Sequence, residues 1–475
     1  MNKPNILFIL TDDHRFDTIS VIGNPEIHTP NLDALAKEGT TFTNASIMGG
    51  TSPAVCMPSR AMLMTGRYLF RLDGNGARIP AEQTTMPEVF RNAGYHTHIV
   101  GKWHQDRNSL QRGFADGNRI FGFTDGWYQQ YGGHWNVPVH DYDPSGEYPH
   151  ETGYILAEDK CTKLPVEIGV GGVHSSEMFA DAAIDYLDSR QTKQASEPAP
   201  FFLYLSFVAP HDPRHSPNEF EEMYSSENVT LPENFLPRHP FDNGELYVRD
   251  EALEAWPRRE HAVRRHIADY YAMISHADAE IGRVVQKLKD CGEYDNTLIV
   301  FAGDNGLAVG QHGLMGKQNL YEHSIRVPLV FRGPGIPADV RTDSQCYLLD
   351  LFPTLCDYLK ISVPESVDGL SLLPAIREPG KNLRSSHYYG YRAYQRAVRT
   401  KSHKLIENFA DGKQTTQLFD LRNDPCEIRN IADDPAQQPL LASLREALEK
   451  WRQDAGDTRE NEQNFWTNVD LDLNP

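Results

Sequence analysis

The feature that most constrains this chain is a set of unbroken apolar runs, each closed by charged or amide residues. The runs are Asn5–Leu10, Thr97–Val100, Phe201–Val208, Thr297–Ala302 and Pro328–Phe331. A strand that is apolar at nearly every position must be covered on both faces, the situation of parallel strands in an α/β sheet. Between the runs, "MPEVFRNAGY" and "IADYYAMISHADAEIGRVVQKLKDCG" carry apolar residues at helical spacing and stop at or beside glycine. The alternation predicts an α/β fold, an open sheet of mostly parallel strands with helices on both faces.

The residues closing the runs are the second constraint. Asp12 and Asp13 follow the first run, Lys102 and His104 the second, His211 and Asp212 the third, Asp304 and Asn305 the fourth. Doubly wound sheets bind ligands at the carboxyl edge of their strands. Any one of these residues is explained by a turn or a helix cap. Four sets at one edge make a polar site.

A chain of 475 residues suggests two to three domains, and 39% hydrophobic residues is ordinary for a globular protein. The one compositional seam is Val363–Asn382, rich in proline and glycine. A formal charge of −20 argues against non-specific binding to nucleic acid or an anionic membrane. The opening "MNKPNILFILTDD" reads as a strand and not as a signal peptide, and no window is long enough to span a bilayer. The six cysteines, at 56, 161, 291, 346, 356 and 426, have no disulfide-framework spacing. The expectation is a cytoplasmic protein with free thiols, or a periplasmic or secreted one if an export signal has been removed.

One cysteine stands in a distinctive setting, "CMPSRAMLMTGR" from Cys56 to Arg67. Proline two residues on suits a helix start, so Cys56 would sit at a helix N-terminus, where backbone N–H groups favour a thiolate. Cysteine position alone favours a small buried hydrophobe instead. The full pattern Cys-x-Pro-Ser-Arg-x-x-x-x-Thr-Gly, however, resembles the signature of type I sulfatases of the alkaline phosphatase superfamily. Cys56, Pro58, Ser59, Arg60, Thr65 and Gly66 all match it. The resemblance extends through Asp12-Asp13, "GKWH" (101–104), "APHDP" (209–213), "GDNG" (303–306), "HGLMGKQNLYEHSIRVPL" (312–329) and "LFDLRNDPCEIRNIADDP" (418–435).

The resemblance implies an alkaline-phosphatase-like α/β sandwich over residues 1–382. It also implies a smaller C-terminal α+β subdomain over 383–475, expected to close one side of the site. Its strands are expected from "AVRTKSHKLIEN" and "QLFDL", and its helix from the apolar stripe of "QPLLASLREALEKWRQDAG". It further implies oxidation of Cys56 to formylglycine by a separate maturase. The hydrated aldehyde offers two geminal hydroxyls, one to attack sulfur and one to expel sulfate. Asp12, Asp13, Asp304 and Asn305, with residue 56, would hold one Ca²⁺, which suits hard oxygen ligands. Lys102 and Lys317 would hold sulfate oxygens, His211 would protonate the leaving alcohol, and His104 would take the proton from the second hydroxyl. Arg60 would fix residue 56.

His14, Arg15, Arg214, His215, His312 and His323 lie near these motifs and are candidate substrate contacts or supporting residues. Trp127 and Trp135, in the aromatic segment 124–142, are candidate sugar-stacking residues against a default of core packing. His96 and His98, inside a strand, read as structural. The function expected is hydrolysis of a sulfate ester on a sulfated carbohydrate. The alternatives are a phosphonate or phosphate diester hydrolase of the same superfamily, and a sulfated-glycan binder in which Cys56 stays a thiol.

Overall fold

The computed structural model describes residues 3–125, 133–135, 137, 139–145, 172–192, 199–458, 465–469 and 471. Its strands in chain order are β1 (Asn5–Thr11), β2 (Thr40–Ser46), β3 (Gly49–Gly50), β4 (His96–Gln105), β5 (Asp116–Phe123), β6 (Phe201–Ser206), β7 (Thr297–Gly303), β8 (Leu329–Arg332), β9 (Val340–Tyr347), β10 (His387–Tyr391), β11 (Gln395–Arg399), β12 (His403–Ala410) and β13 (Lys413–Asp420). Eight form one sheet in the order β5-β4-β6-β1-β7-β8-β2-β9. Five of its seven pairings are parallel.

β1 shows why its run is unbroken. Ile6, Phe8 and Leu10 enter one core and Leu7 and Ile9 the other, so no position faces water. The second core takes the helices Ser175–Thr192 and Glu260–Asp290. The first takes the helix Cys56–Thr65 and runs on into the C-terminal sheet through Tyr388, Val398 and Leu405.

Two strand expectations need correction. β8 runs antiparallel to β7. The chain leaves β7 at the polar edge, loops through 304–327 and re-enters from that same edge, whereas a parallel strand needs a crossover to the far edge. The second run is also longer than Thr97–Val100. β4 continues to Gln105, so Lys102 and His104 lie within the strand, Lys102 paired with Phe121 of β5 and His104 in the register shift that follows.

The second sheet has the order β13-β12-β11-β10-β3. "AVRTKSHKLIEN" supplies parts of two strands, β11 and β12, and the expected helix is Gln438–Asp454. β3 comes from the N-terminal part of the chain: Gly49 pairs with Gly390, and a side chain at Gly49 would lie 2.1 Å from the Gly390 carbonyl. The sheet is pinned by a fully buried ion pair. Arg396 Nε donates to Asp457 Oδ2 at 2.5 Å, and Tyr388 and the Trp466 indole donate to the same oxygen. Asp457→Ala leaves the guanidinium buried and uncompensated, so it is expected to destabilise the protein by about 3–5 kcal/mol. A lowered urea midpoint checks this.

Candidate active site

The carboxyl ends of β4, β6, β1 and β7 lie level. Gly101 pairs with Ser206, Leu10 with Ser206, and Thr11 with Gly303. The residues that follow these positions therefore meet. The main-chain turns are tight. Asp13 and His104 have φ of 62°, a region costly for side-chain-bearing residues and concentrated at functional sites. Gly101 has φ of 91°, and a Cβ there would lie 2.0 Å from the Ser206 carbonyl.

In the "CMPSRAMLMTGR" segment Cys56, Ser59, Arg60 and Gly66 each have a structural role. The helix starts at Cys56 and ends at Gly66, which takes the left-handed conformation and donates its N–H to Met62 O. Ser59 Oγ donates to the Asp304 carbonyl. Arg60 is wholly buried, its Nε donating to Asp304 Oδ2 at 2.8 Å and its Nη1 to Lys102 O and Ser206 Oγ. The arginine thus ties the helix to three strand ends.

Around Cys56 the site is cationic and acidic in equal measure. Lys102 Nζ lies 3.7 Å and Lys317 Nζ 3.8 Å from the Cys56 sulfur. Lys102 also donates to Asp12 Oδ2, and Lys317 to Asp13 Oδ1 at 2.5 Å. His211 Nδ1 lies 2.7 Å from the Asp212 carbonyl, which can only accept, so Nδ1 carries the proton. That turns Nε2 towards Asp13 Oδ2, 3.8 Å away. His134 Nε2 donates to the His211 carbonyl and fixes the loop from behind.

These surroundings set the charge states. Burial pushes the Cys56 thiol up to about 11, against the pull of Lys102 and Lys317. At the helix N-terminus the thiol therefore keeps its proton, as a small buried group does. Burial, helped by Lys102 and Arg60, holds His104 well below 6.5 and so neutral. Burial, then the neighbouring Asp12 carboxylate, raises Asp304 to about 6. Burial acts on Asp12 too, but Lys102 foremost outweighs it and keeps that carboxyl low.

The residues fit a bound cation. Asp12 Oδ1 and Asn305 Oδ1 are buried acceptors without a hydrogen-bond partner. Asp12, Cys56 and Asp304 offer ligand atoms within 4.8 Å of one another, as do Asp12, Asp13 and His211. Orphaned hard oxygens beside a carboxyl raised by its neighbour are what a divalent ion would relieve.

A cavity of about 530 Å³ opens above this cluster. Cys56, Lys102, His104, His211 and Lys317 line it, together with residues sequence reasoning missed: Phe121, Phe123, Val248, Arg249, Asp250 and Gln318. The other candidates do not line it. His14 is buried, bonded to Thr11 Oγ1 and edge-on to Phe301. Arg214 Nη1 donates to His266, and the His215 carbonyl accepts from His174. His312 stacks on Tyr321 at 4.0 Å. Arg15 and His323 line a separate cavity of about 470 Å³. Trp135 is edge-on to His174 and partly exposed, and Trp127 lies outside the described residues. His98 stacks on Tyr186 at 3.9 Å, a structural contact.

None of the described lining residues comes from beyond Gln318, so the C-terminal sheet acts from behind and does not form a wall. Gln395 Oε1 accepts from Leu320 N, and Lys404 Nζ donates to Leu320 O, holding the loop that carries Lys317. Among the described residues no helix is long and apolar enough to cross a membrane.

Comparison with known proteins agrees with this geometry. The sulfatase family model matches residues 4–361, and the model for the C-terminal part of N-sulphoglucosamine sulphohydrolase matches 310–454. An ulvan-active sulfatase of Formosa agariphila is 29% identical, over 96% of this chain and 82% of its own. An N-acetylglucosamine-6-O-sulfatase of Bacteroides thetaiotaomicron is 27% identical, over 95% and 87%. In fold, the chain is similar to the solved structure of BT4656 in complex with its substrate D-glucosamine-2-N,6-O-disulfate. The TM-score is 0.76 at 24% identity, over 98% of this chain and 99% of that one. The buried cluster and the family match over most of its length lead to one conclusion: the chain belongs to the sulfatase family and is a sulfuric ester hydrolase.

Proposed function

We propose that this sulfatase removes sulfate esters from a sulfated carbohydrate, using formylglycine made from Cys56 and one Ca²⁺. The observation that carries the reading is the cavity of about 530 Å³, with Cys56 between two lysine ammonium groups and two histidines beside it. That volume suits a small ligand of sugar-sulfate size. Likeness to an N-acetylglucosamine-6-O-sulfatase supports a sugar ester as substrate.

In this reading residues 1–382 carry the chemistry and 383–475 support it. Lys102 and Lys317 hold sulfate oxygens and stabilise charge developing on them. His211, carrying a proton on each ring nitrogen when it acts, delivers the one on Nε2 to the departing alcohol, while neutral His104 accepts one. Arg60 holds Asp304 in place. Asp12, Asp13, Asp304 and Asn305 would hold the calcium ion, which supplies positive charge to acidify the nucleophile and neutralise the transferring group. A separate maturase would supply the formylglycine.

A panel of defined sulfated oligosaccharides, with aryl phosphonate and phosphate diesters beside it, tests the substrate. Sulfate release from the sugars is expected to dominate, and faster turnover of the phosphorus esters would overturn the reading. The metal has its own test. Exhaustive chelation should remove activity, and Ca²⁺ should restore it better than Zn²⁺, because the proposed side-chain ligands from this acidic cluster are all oxygens. Asp304→Ala should sharply raise the Ca²⁺ needed for half-maximal activity. Full activity in protein shown by elemental analysis to be metal-free would exclude the ion.

A further inference from the structure

The segment Glu245–Glu251, "ELYVRDE", belongs to none of the sulfatase motifs, yet it supplies three of the cavity's lining residues, Val248, Arg249 and Asp250. Both its ends are fixed by buried carboxylates. Glu245 accepts from the Tyr391 hydroxyl at 2.9 Å and pairs with Arg392. Glu251 pairs with Arg258 and accepts the backbone N–H groups of Met315 and Gly316, both at 3.0 Å. Gly244 just before it has φ of 89°, and a Cβ there would lie 2.5 Å from the Tyr394 ring. Leu246 packs on the core, and the next side chain, Tyr247, is 90% exposed.

The polar groups in the middle are held in one arrangement. Arg249 reaches Asp212 with Nη1 and Nη2, at 2.7 and 3.0 Å, and Asp250 Oδ1 with Nε at 2.9 Å. Asp250 Oδ2 accepts from Gln318 Nε2 at 2.7 Å, and Gln318 adjoins Lys317 in the chain. A carboxylate has about four acceptor sites. Both aspartates therefore keep capacity to accept, and Asp250 is bonded to Gln318, the residue next to the lysine assigned to sulfate. Two carboxylates against one guanidinium leave a net charge of −1, which favours hydroxyl donors and repels a second anion.

We infer that Glu245–Glu251 is the sugar-reading element of this site. Asp250 and Arg249 take hydroxyls on the ring that bears the scissile sulfate, and Tyr247 stacks on the next ring outside the cavity. The preferred ligand is then an oligosaccharide whose terminal ring carries one sulfate beside free hydroxyls. This rests on the carbohydrate reading above.

The test compares kcat/KM ratios for four substrates: an aryl sulfate, a monosulfated monosaccharide, its disulfated form and a monosulfated trisaccharide. Asp250→Asn keeps the side chain's shape and an acceptor for Gln318. It is expected to lower the monosaccharide-to-aryl ratio about tenfold and to narrow the gap between monosulfated and disulfated rings. Tyr247→Ala, at an exposed position, is expected to lower the trisaccharide-to-monosaccharide ratio about fivefold. Unchanged ratios, or equal losses on all four substrates, would overturn the assignment, because a merely structural role does not discriminate among them. A wild-type enzyme that hydrolyses the aryl ester and none of the sugars would instead overturn the carbohydrate reading itself, before any variant is compared.

Discussion

Cys56→Ala is expected to abolish sulfatase turnover, with kcat falling on the order of 10⁴-fold or more, while the thermal unfolding curve stays close to wild type. In the proposed mechanism residue 56 is the covalent nucleophile, and it lies between the two lysines assigned to sulfate. The unmodified thiol is poorly suited to that role. Burial lifts it to about 11, so near neutral pH it carries its proton. An aldehyde hydrate would escape that constraint, because a cation held by Asp12, Asp13, Asp304 and Asn305 would supply the positive charge that acidifies its hydroxyls. The same argument covers Cys56→Ser, which should be nearly dead in a host whose maturase accepts only cysteine. Mass analysis of the peptide carrying residue 56 supplies the second readout. Near wild-type turnover by Cys56→Ala, or full turnover from protein in which residue 56 is entirely thiol, would end the formylglycine reading.

What was legible in the sequence follows from what composition encodes. The strands β1, β6 and β7 showed because both faces are buried, which leaves an unbroken apolar run. Strand direction leaves no such mark, so β8 read as parallel. The end of β4 was hidden because Lys102 and His104 are polar yet remain in the strand, His104 in a register shift and at a positive φ that no residue pattern announces. Proximity in sequence also misled. Asp13 lies in the left-handed region, so the chain turns there and sends His14 back against Phe301. Arg249 and Asp250 were missed because they open a single short 3-10 turn, Arg249–Leu253, too brief to show a periodicity. The one signal was an Arg-Asp pair between two glutamates in a stretch with neither strand nor helix spacing.

The two histidines should separate by substrate. His211→Ala is expected to damage turnover of a sugar sulfate by about 10²–10⁴-fold and turnover of an activated aryl sulfate far less. A sugar alcohol is a poor leaving group that needs its proton, whereas a phenolate departs with little help. The geometry suits this role. With Nδ1 donating to the Asp212 carbonyl and His134 holding the His211 carbonyl, Nε2 is the atom presented on the Asp13 side. In the proposed mechanism His104 acts after the alcohol has gone. Its burial, with Lys102 and Arg60 nearby, keeps it neutral, the state a proton acceptor needs, and its Nδ1 is buried without a hydrogen-bond partner. His104→Ala should therefore slow both substrates to a similar maximal rate and leave sulfate covalently attached to the residue-56 peptide. The measurement is kcat for each variant on each substrate, with mass analysis of that peptide after quenching. Equal losses on both substrates for His211→Ala, together with no sulfated peptide for His104→Ala, would mean that the two roles are wrongly assigned, even though the protein remains a sulfatase.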